Sequence, residues 1–367
     1  MQELLLHASI GSGPEVLEAW AEWKHKADID AVDLGSHRIL PLLYRNLLDH
    51  GVSDPLLARL KSTYRYYWYQ NAVLLHRGEE VLSSFRQAGI PTMVLKGAAL
   101  VALYYHDAAL RPMQDFDIAV PFTSARKAIT LLQRSGWRPQ TKYDPRHLFL
   151  IRHSTPFIDC KSRQIDLHWH VLGTGFNISC DTNFWKRSIP LNVGGVATRT
   201  LGPTDQLVHV CSHGAEWSEV PPLRWVADAL SILKSSSTTV DWQLLLETVE
   251  FHHLQLPLLN ALIYLKKNFG APLPDDVLNN LQRLPVGPVE RYAYETAIRP
   301  LSAPTNRQLL QSFVFAYAIL SSSIHHWQRP WMFVRYLQHR FQLTKASHLL
   351  LVLPWRALRR LWSSRSR

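Results

Sequence analysis

The constraint that most limits the fold lies at residues 91–202, where short β-type runs interrupt a chain otherwise patterned as helix. "PTMVLKG" reads as a strand leading into a helix at "AALVALYYH". "DFDIAV" alternates polar and apolar residues and stops at Pro121, as a strand does. "TSARKAITLLQRSGW" has helical spacing behind a Thr123 or Ser124 cap. "HLFLIRH", "QIDLHWHV" and "GGVATRTL" read as further strands. This alternation predicts an α+β protein, with a small mixed β-sheet core at 91–202 between helical regions at 1–90 and 203–367.

The flanks support that division. Pro14 opens "PEVLEAWAEWKHKA", a favoured helix-start position for proline. "HRILPLLYRNLLDH" is a second helix closed by Gly51. A long pattern follows from Asp54 to a stop at Gly89, carrying Tyr64, Tyr66, Tyr67, Trp68 and Tyr69. These aromatics are read as packing within the core, in preference to base stacking, because a long helix must bury a face. Beyond Pro203, "PTDQLVHVCSHGAEW", "PPLRWVADALSILK" and "VDWQLLLETVEFHH" are helical again.

Composition narrows the class. The chain of 367 residues is 47% hydrophobic and 19% charged, which favours a packed core over disorder. No apolar run reaches the roughly 18 residues of a membrane span. The start, "MQELLLHASI", lacks the features of a secretory signal. Three scattered cysteines, Cys160, Cys180 and Cys211, fit neither a disulfide framework nor a zinc spacing, so a cytoplasmic setting is expected. A net charge of +11 favours polyanionic partners such as nucleotide phosphates. Gly-x-x-x-x-Gly-Lys, Gly-x-Gly-x-x-Gly and Gly-x-Ser-x-Gly motifs are missing, which leaves P-loop, Rossmann and hydrolase chemistry unsupported.

The chemistry concentrates in "LKGAALVALYYHDAALRPMQDFDIAV". Residues two apart on a strand point the same way, so Asp115 and Asp117 share a face while Phe116, Ile118 and Val120 point to a core. Two adjacent carboxylates repel unless a cation neutralises them. Mg²⁺ or Mn²⁺ suits such oxygens together with substrate phosphates. Gly97 allows backbone N–H groups close to a phosphate, and Lys96 or Arg111 can add positive charge. The plainer readings are a solvated edge strand, a surface lysine and a structural salt bridge for Arg111.

A third carboxylate lies in "QIDLHWHV". Asp166, His168 and His170 share one strand face. If that strand neighbours the Asp115 strand, Asp166 completes a three-carboxylate site and can act as base, with His168 toward phosphate or substrate. An Asp-x-His-x-His face also suits zinc. His209 and His213, four apart on a helix, either line the cleft or bond within the helical core. Arg224 and Asp228, also four apart, can pair with each other.

These motifs together resemble the DNA polymerase β-like nucleotidyltransferase superfamily: a glycine turn after a strand, an Asp-x-Asp strand and a later lone-Asp strand. The wording is closer still to a bacterial branch of uncharacterised nucleotidyltransferases. Lys96-Gly97, Arg111, Asp115/Asp117 and "IDLHW" at 165–169 carry it, as do "LVHVCSHGAEW", "LRWVADAL" and Asp241-Trp242 downstream. It covers roughly residues 37–270. Lys96-Gly97-Ala98 departs from the superfamily's Gly-Gly or Gly-Ser turn, and Gln114 stands where a serine often precedes the first aspartate.

The resemblance implies Mg²⁺- or Mn²⁺-dependent transfer of NMP from an NTP to an oxygen acceptor, which could be a small molecule, a peptide or a saccharide. In that reading Asp115, Asp117 and Asp166 hold metal and carry catalysis, while Lys96, Gly97, Arg111 and His168 bind the nucleotide. A fold that binds without activity and an RNA-modifying transferase are the alternatives. No RNA module is recognisable, so nucleic acid is the less favoured partner. The tail, "SHLLLVLPWRALRRLWSSRSR", is read as a docked helix with a basic end, or as a peripheral contact to an anionic membrane.

Overall fold

The computed structural model describes residues 1–140, 149, 152–173, 180–214, 223–237, 239–298, 314, 317, 329–340, 343 and 345–349. The basic tail from 350 onward, read as a docked helix or a membrane contact, lies outside them. Among the described residues, no helix is long and apolar enough to cross a membrane.

The expected α+β architecture is present. Among the described residues, seven strands form one mixed sheet: β1 (Met93–Val94), β2 (Asp115–Ala119), β3 (Arg138–Pro139), β4 (Ser154–Ile158), β5 (Gln164–His168), β6 (Ile189–Val193) and β7 (Val196–Thr200). Their order is β3-β4-β5-β2-β1-β7-β6. The β2–β5 and β1–β7 pairs are parallel, and the others are antiparallel. Thus β2 and β5 lie side by side near the middle of the sheet, although 44 residues separate Ala119 from Gln164 in the chain.

Two strand readings change. Of the strand expected in "HLFLIRH", residues 147, 148, 150 and 151 lie outside the described residues; Phe149 is helical and β4 starts at Ser154. Pro156 inside β4 weakens its signal in the sequence, yet Thr155 and Phe157 are fully buried there. β6 was not anticipated. It pairs with β7 through Gly194 (φ 56°) and Gly195 (φ 88°), a two-residue turn whose left-handed backbone glycine adopts without strain.

Each face of the sheet has its own core. On one side Val94, Phe116, Ile118 and Leu167 pack with Leu74, Val81, Leu82 and Phe85 of the Leu57–Gln87 helix and with Ala128 and Leu132 of the Ala125–Arg134 helix. The approach is close at Gly78, where a Cβ would lie 2.5–2.6 Å from three ring atoms of Phe116. On the other side Met93, Leu95 and Ala119 join a core built with the N-terminal helices, the Pro203–Gly214 helix and the Arg224–Leu233 helix. By strand alternation Asp115 and Asp117 share the face of Ala119, between the sheet and this second helical layer.

The aromatic run on the long helix behaves differently from the packing reading. Tyr67 is buried, whereas Tyr66, Trp68 and Tyr69 are each more than half exposed. Helical periodicity spreads consecutive residues around the axis, so one face cannot hold them all. Tyr67 instead meets His37, whose Nδ1 lies 2.8 Å from its hydroxyl.

Candidate active site

β2 and β5 run parallel with Asp117 opposite Asp166 in register. This register puts Asp115, Asp117 and Asp166 on one face of two neighbouring strands, Asp115 at the start of β2 and the other two at mid-strand. Asp117 is buried and accepts a hydrogen bond from Lys96 Nζ at 2.6 Å on Oδ1. His168 Nε2 lies 3.0 Å from the same oxygen and 3.1 Å from Asp166 Oδ2. Ser154 Oγ donates to Asp166 Oδ2 at 3.0 Å from β4. Asp166 Oδ1 and His168 Nδ1 are buried with no hydrogen-bond partner.

The electrostatics follow from this crowding. The Asp117 charge, with burial behind it, pushes the Asp115 carboxyl up to about 6. Burial also disfavours the Asp117 charge, but the Lys96 ammonium and the His168 ring outweigh it and hold that carboxyl well below the usual range. Burial lowers His168, yet Asp166 and the bonds to both carboxylates raise it to about 9. Counting the three carboxylates, Lys96 and a protonated His168 alone, the cluster is one positive charge short of neutral, and Arg38 and Arg224 stand just beyond it.

The turn before the site departs from a simple glycine turn. The left-handed residue is Lys96, at φ 49°, and not Gly97. Glycine is needed at 97 for space: a Cβ would lie 2.6 Å from Met113 Cγ and 3.3 Å from Arg111 Nη1. Asn71, buried on the long helix, pins the loop that feeds β2. Its amide nitrogen donates to the carbonyls of Ala108 and Arg111, and its oxygen accepts from Met113 N at 3.0 Å. Asp107 ties the same loop to Arg45 and to Tyr64, at 2.8 and 2.7 Å.

Arg111 borders the Gly97 turn, but its guanidinium is engaged. Nε and Nη2 grip Asp228 with bonds of 2.9–3.2 Å, and the Tyr105 hydroxyl donates to the same carboxylate at 2.9 Å. The pairing of Arg224 with Asp228 weighed from their spacing does not form; Arg224 donates to the Pro112 carbonyl. Burial, with the charges of Arg111 and Arg38 nearby, lowers Arg224 to about 9. Arg38, half-buried, feels both Arg111 and Asp115. The Arg38 and Arg224 charges thus act on Asp115, while Arg111 beside them is bound to Asp228.

His209 and His213 stack with ring centroids 6.4 Å apart. Burial, with the Lys96 charge next, holds both below the usual histidine range. His209 and Lys96 line one small cavity with Gln206 and Thr200, so this helix does border the site. His170, expected on the face of Asp166 and His168, does not join them. β5 ends at His168, and the His170 ring turns to Asp181, 2.6 Å away. A zinc site of Asp166, His168 and His170 together is thereby excluded.

Sequence reasoning missed Arg38 and Ser154. Neither sits in a recognisable motif, and both reach the site only through tertiary packing.

The family model described as "uncharacterised nucleotidyltransferase" matches residues 34–270, more than half of the chain. The protein belongs to the uncharacterised nucleotidyltransferase family. All the residues above, Arg38 to Asp228, fall inside the matched region. Two solved structures are similar at low identity. One is a lincosamide antibiotic adenylyltransferase in its lincomycin-bound form, at 16% identity and TM-score 0.31, covering 42% of this chain and 93% of that one. The other is an antigenic nucleotidyltransferase-like protein from Paracoccidioides brasiliensis, at 13% identity and TM-score 0.34, covering 59% and 93%. No curated protein matches the chain.

Proposed function

We propose that the protein transfers a nucleoside monophosphate from an NTP to an oxygen nucleophile on an acceptor, using Asp115, Asp117 and Asp166 to hold Mg²⁺ or Mn²⁺. One observation carries this reading: three carboxylates meet on one face of adjacent parallel strands, and the buried Asp166 Oδ1 has no partner. Hard oxygen donors, one of them a buried oxygen with no partner, fit a divalent cation, with Lys96 standing in for part of its charge. Such an ion, when bound, offsets the charge of the triphosphate and of the pyrophosphate that leaves.

The chain's own residues set the rest of the chemistry. The acceptor oxygen forms a bond to the α-phosphorus while the bond to pyrophosphate breaks. Asp166 also takes the proton of the attacking hydroxyl. His168 keeps Asp117 and Asp166 in position through its shared Nε2. Lys96 is drawn from Asp117 toward the phosphates. Arg38 and Arg224 supply charge to the β- and γ-phosphates from the Asp115 side, while Arg111 acts mainly through its grip on Asp228. The acceptor is a small molecule, a peptide or a saccharide.

Mass spectrometry of acceptor pools incubated with each NTP and Mg²⁺ or Mn²⁺ tests the activity. An acceptor gaining one NMP, with release of one pyrophosphate, is expected. Phosphoryl gain without NMP would contradict it. Arg38→Ala is expected to raise KM for the NTP about tenfold with kcat changed less, the loss of one charge-assisted contact. A fall in kcat at unchanged KM would move Arg38 out of triphosphate binding.

A further inference from the structure

Asp181 precedes the Thr182–Arg187 helix, and its carboxylate is buried beside two other metal-type ligands. His170 Nδ1 lies 2.6 Å from Asp181 Oδ2, and Cys180 Sγ lies 3.3 Å from each of them. All three side chains are at least nine-tenths buried. They form a group separate from Asp117, Asp166 and His168. The exposed Cys160 and the buried Cys211 take no part in it.

We propose that His170, Cys180 and Asp181 bind a zinc ion. Imidazole, thiolate and carboxylate are the donors this borderline ion takes, and three protein ligands leave one position of a tetrahedron for water or a further ligand. Bond lengths of about 2.0–2.3 Å at tetrahedral angles place ligand atoms roughly 3.3–3.6 Å apart. Two of the three separations already match, and the His170–Asp181 contact opens by less than about 1 Å.

Charge favours the same conclusion. A thiolate and a carboxylate cancel the charge of Zn²⁺, so the occupied site is neutral, which suits burial. The donors are also oriented from behind. Asp181 Oδ1 accepts the Val171 N–H at 2.9 Å, leaving Oδ2 for the cluster, and the His170 ring stacks on Phe122 at 5.4 Å. A catalytic Cys-His-Asp relay is excluded by geometry, because thiol and carboxylate share one ring nitrogen instead of using both. The ion would join the segment after β5 to the start of the Thr182–Arg187 helix.

Metal content of the full-length chain decides the matter, with Asp117→Asn/Asp166→Asn as a background that removes the carboxylate site. One zinc per chain is expected to survive dialysis against a weak chelator in that background and to be lost on adding Cys180→Ser. Cys160→Ser should retain it. Cobalt replacing zinc in the unaltered chain should give a thiolate-to-metal charge-transfer band. That measurement holds even where Cys180→Ser does not fold. Absence of both zinc and the cobalt band, or zinc unchanged by Cys180→Ser in a folded variant, overturns the proposal.

Discussion

Replacing Asp117 by asparagine is expected to lower nucleotidyl transfer by at least about 10³-fold, the scale on which losing a preorganised charge contact affects catalysis. Asp117 sits at the centre of the cluster, opposite Asp166 in register and bonded to Lys96 and His168. An amide keeps the shape and removes the charge that holds a divalent ion. Asp115→Asn should be comparably inactive but should unfold at a higher temperature. Its carboxylate is repelled by Asp117, and removing that repulsion stabilises the fold by on the order of 1 kcal/mol. Turnover and melting temperature measured on the same preparations separate the two effects. Turnover near that of the unaltered protein in either variant would remove these aspartates from the chemistry.

The largest effect on stability is expected at Arg111. Its ion pair with Asp228 is bidentate, with side chains 12% and 3% exposed. Arg111→Met leaves Asp228 buried and uncompensated, at a cost of about 3–5 kcal/mol. For a chain of this size that lowers Tm by on the order of 5–15 °C. Adding Asp228→Leu removes the stranded charge and should recover most of the loss. Thermal unfolding of the single and double variants is the measurement. A double variant no more stable than the single one would contradict a mainly structural role for the Arg111–Asp228 pair.

The reach of the sequence differs from residue to residue. The shared face of Asp115 and Asp117 follows from the period of two along a strand, and it holds in the structure. The place of Asp166 depends on which strands pair and in what register, a long-range property that no local pattern contains. Arg111 shows the same limit: from the loop before β2, its partner lies 117 residues away on a helix. A spacing of four between Arg224 and Asp228 pointed to a local pair, but packing across the Pro112 loop took both side chains elsewhere. His170 was misplaced because β5 stops two residues short of it, and strand ends are set by the partner strand as much as by the residues themselves. Gly97 was recognisable as special, though for a reason visible only once Met113 is packed against it.

The role of the carboxylates as a divalent-ion site is the central claim, and Mn²⁺ binding tests it most directly. Electron paramagnetic resonance counts free Mn²⁺ as the full-length protein is added, with and without a non-hydrolysable NTP. The unaltered chain should bind Mn²⁺ more tightly when the nucleotide is present, and Asp115→Asn/Asp117→Asn should lose that nucleotide-dependent binding while His170→Ala retains it. Nucleotide-dependent Mn²⁺ binding that persists in the folded double variant would contradict the assignment.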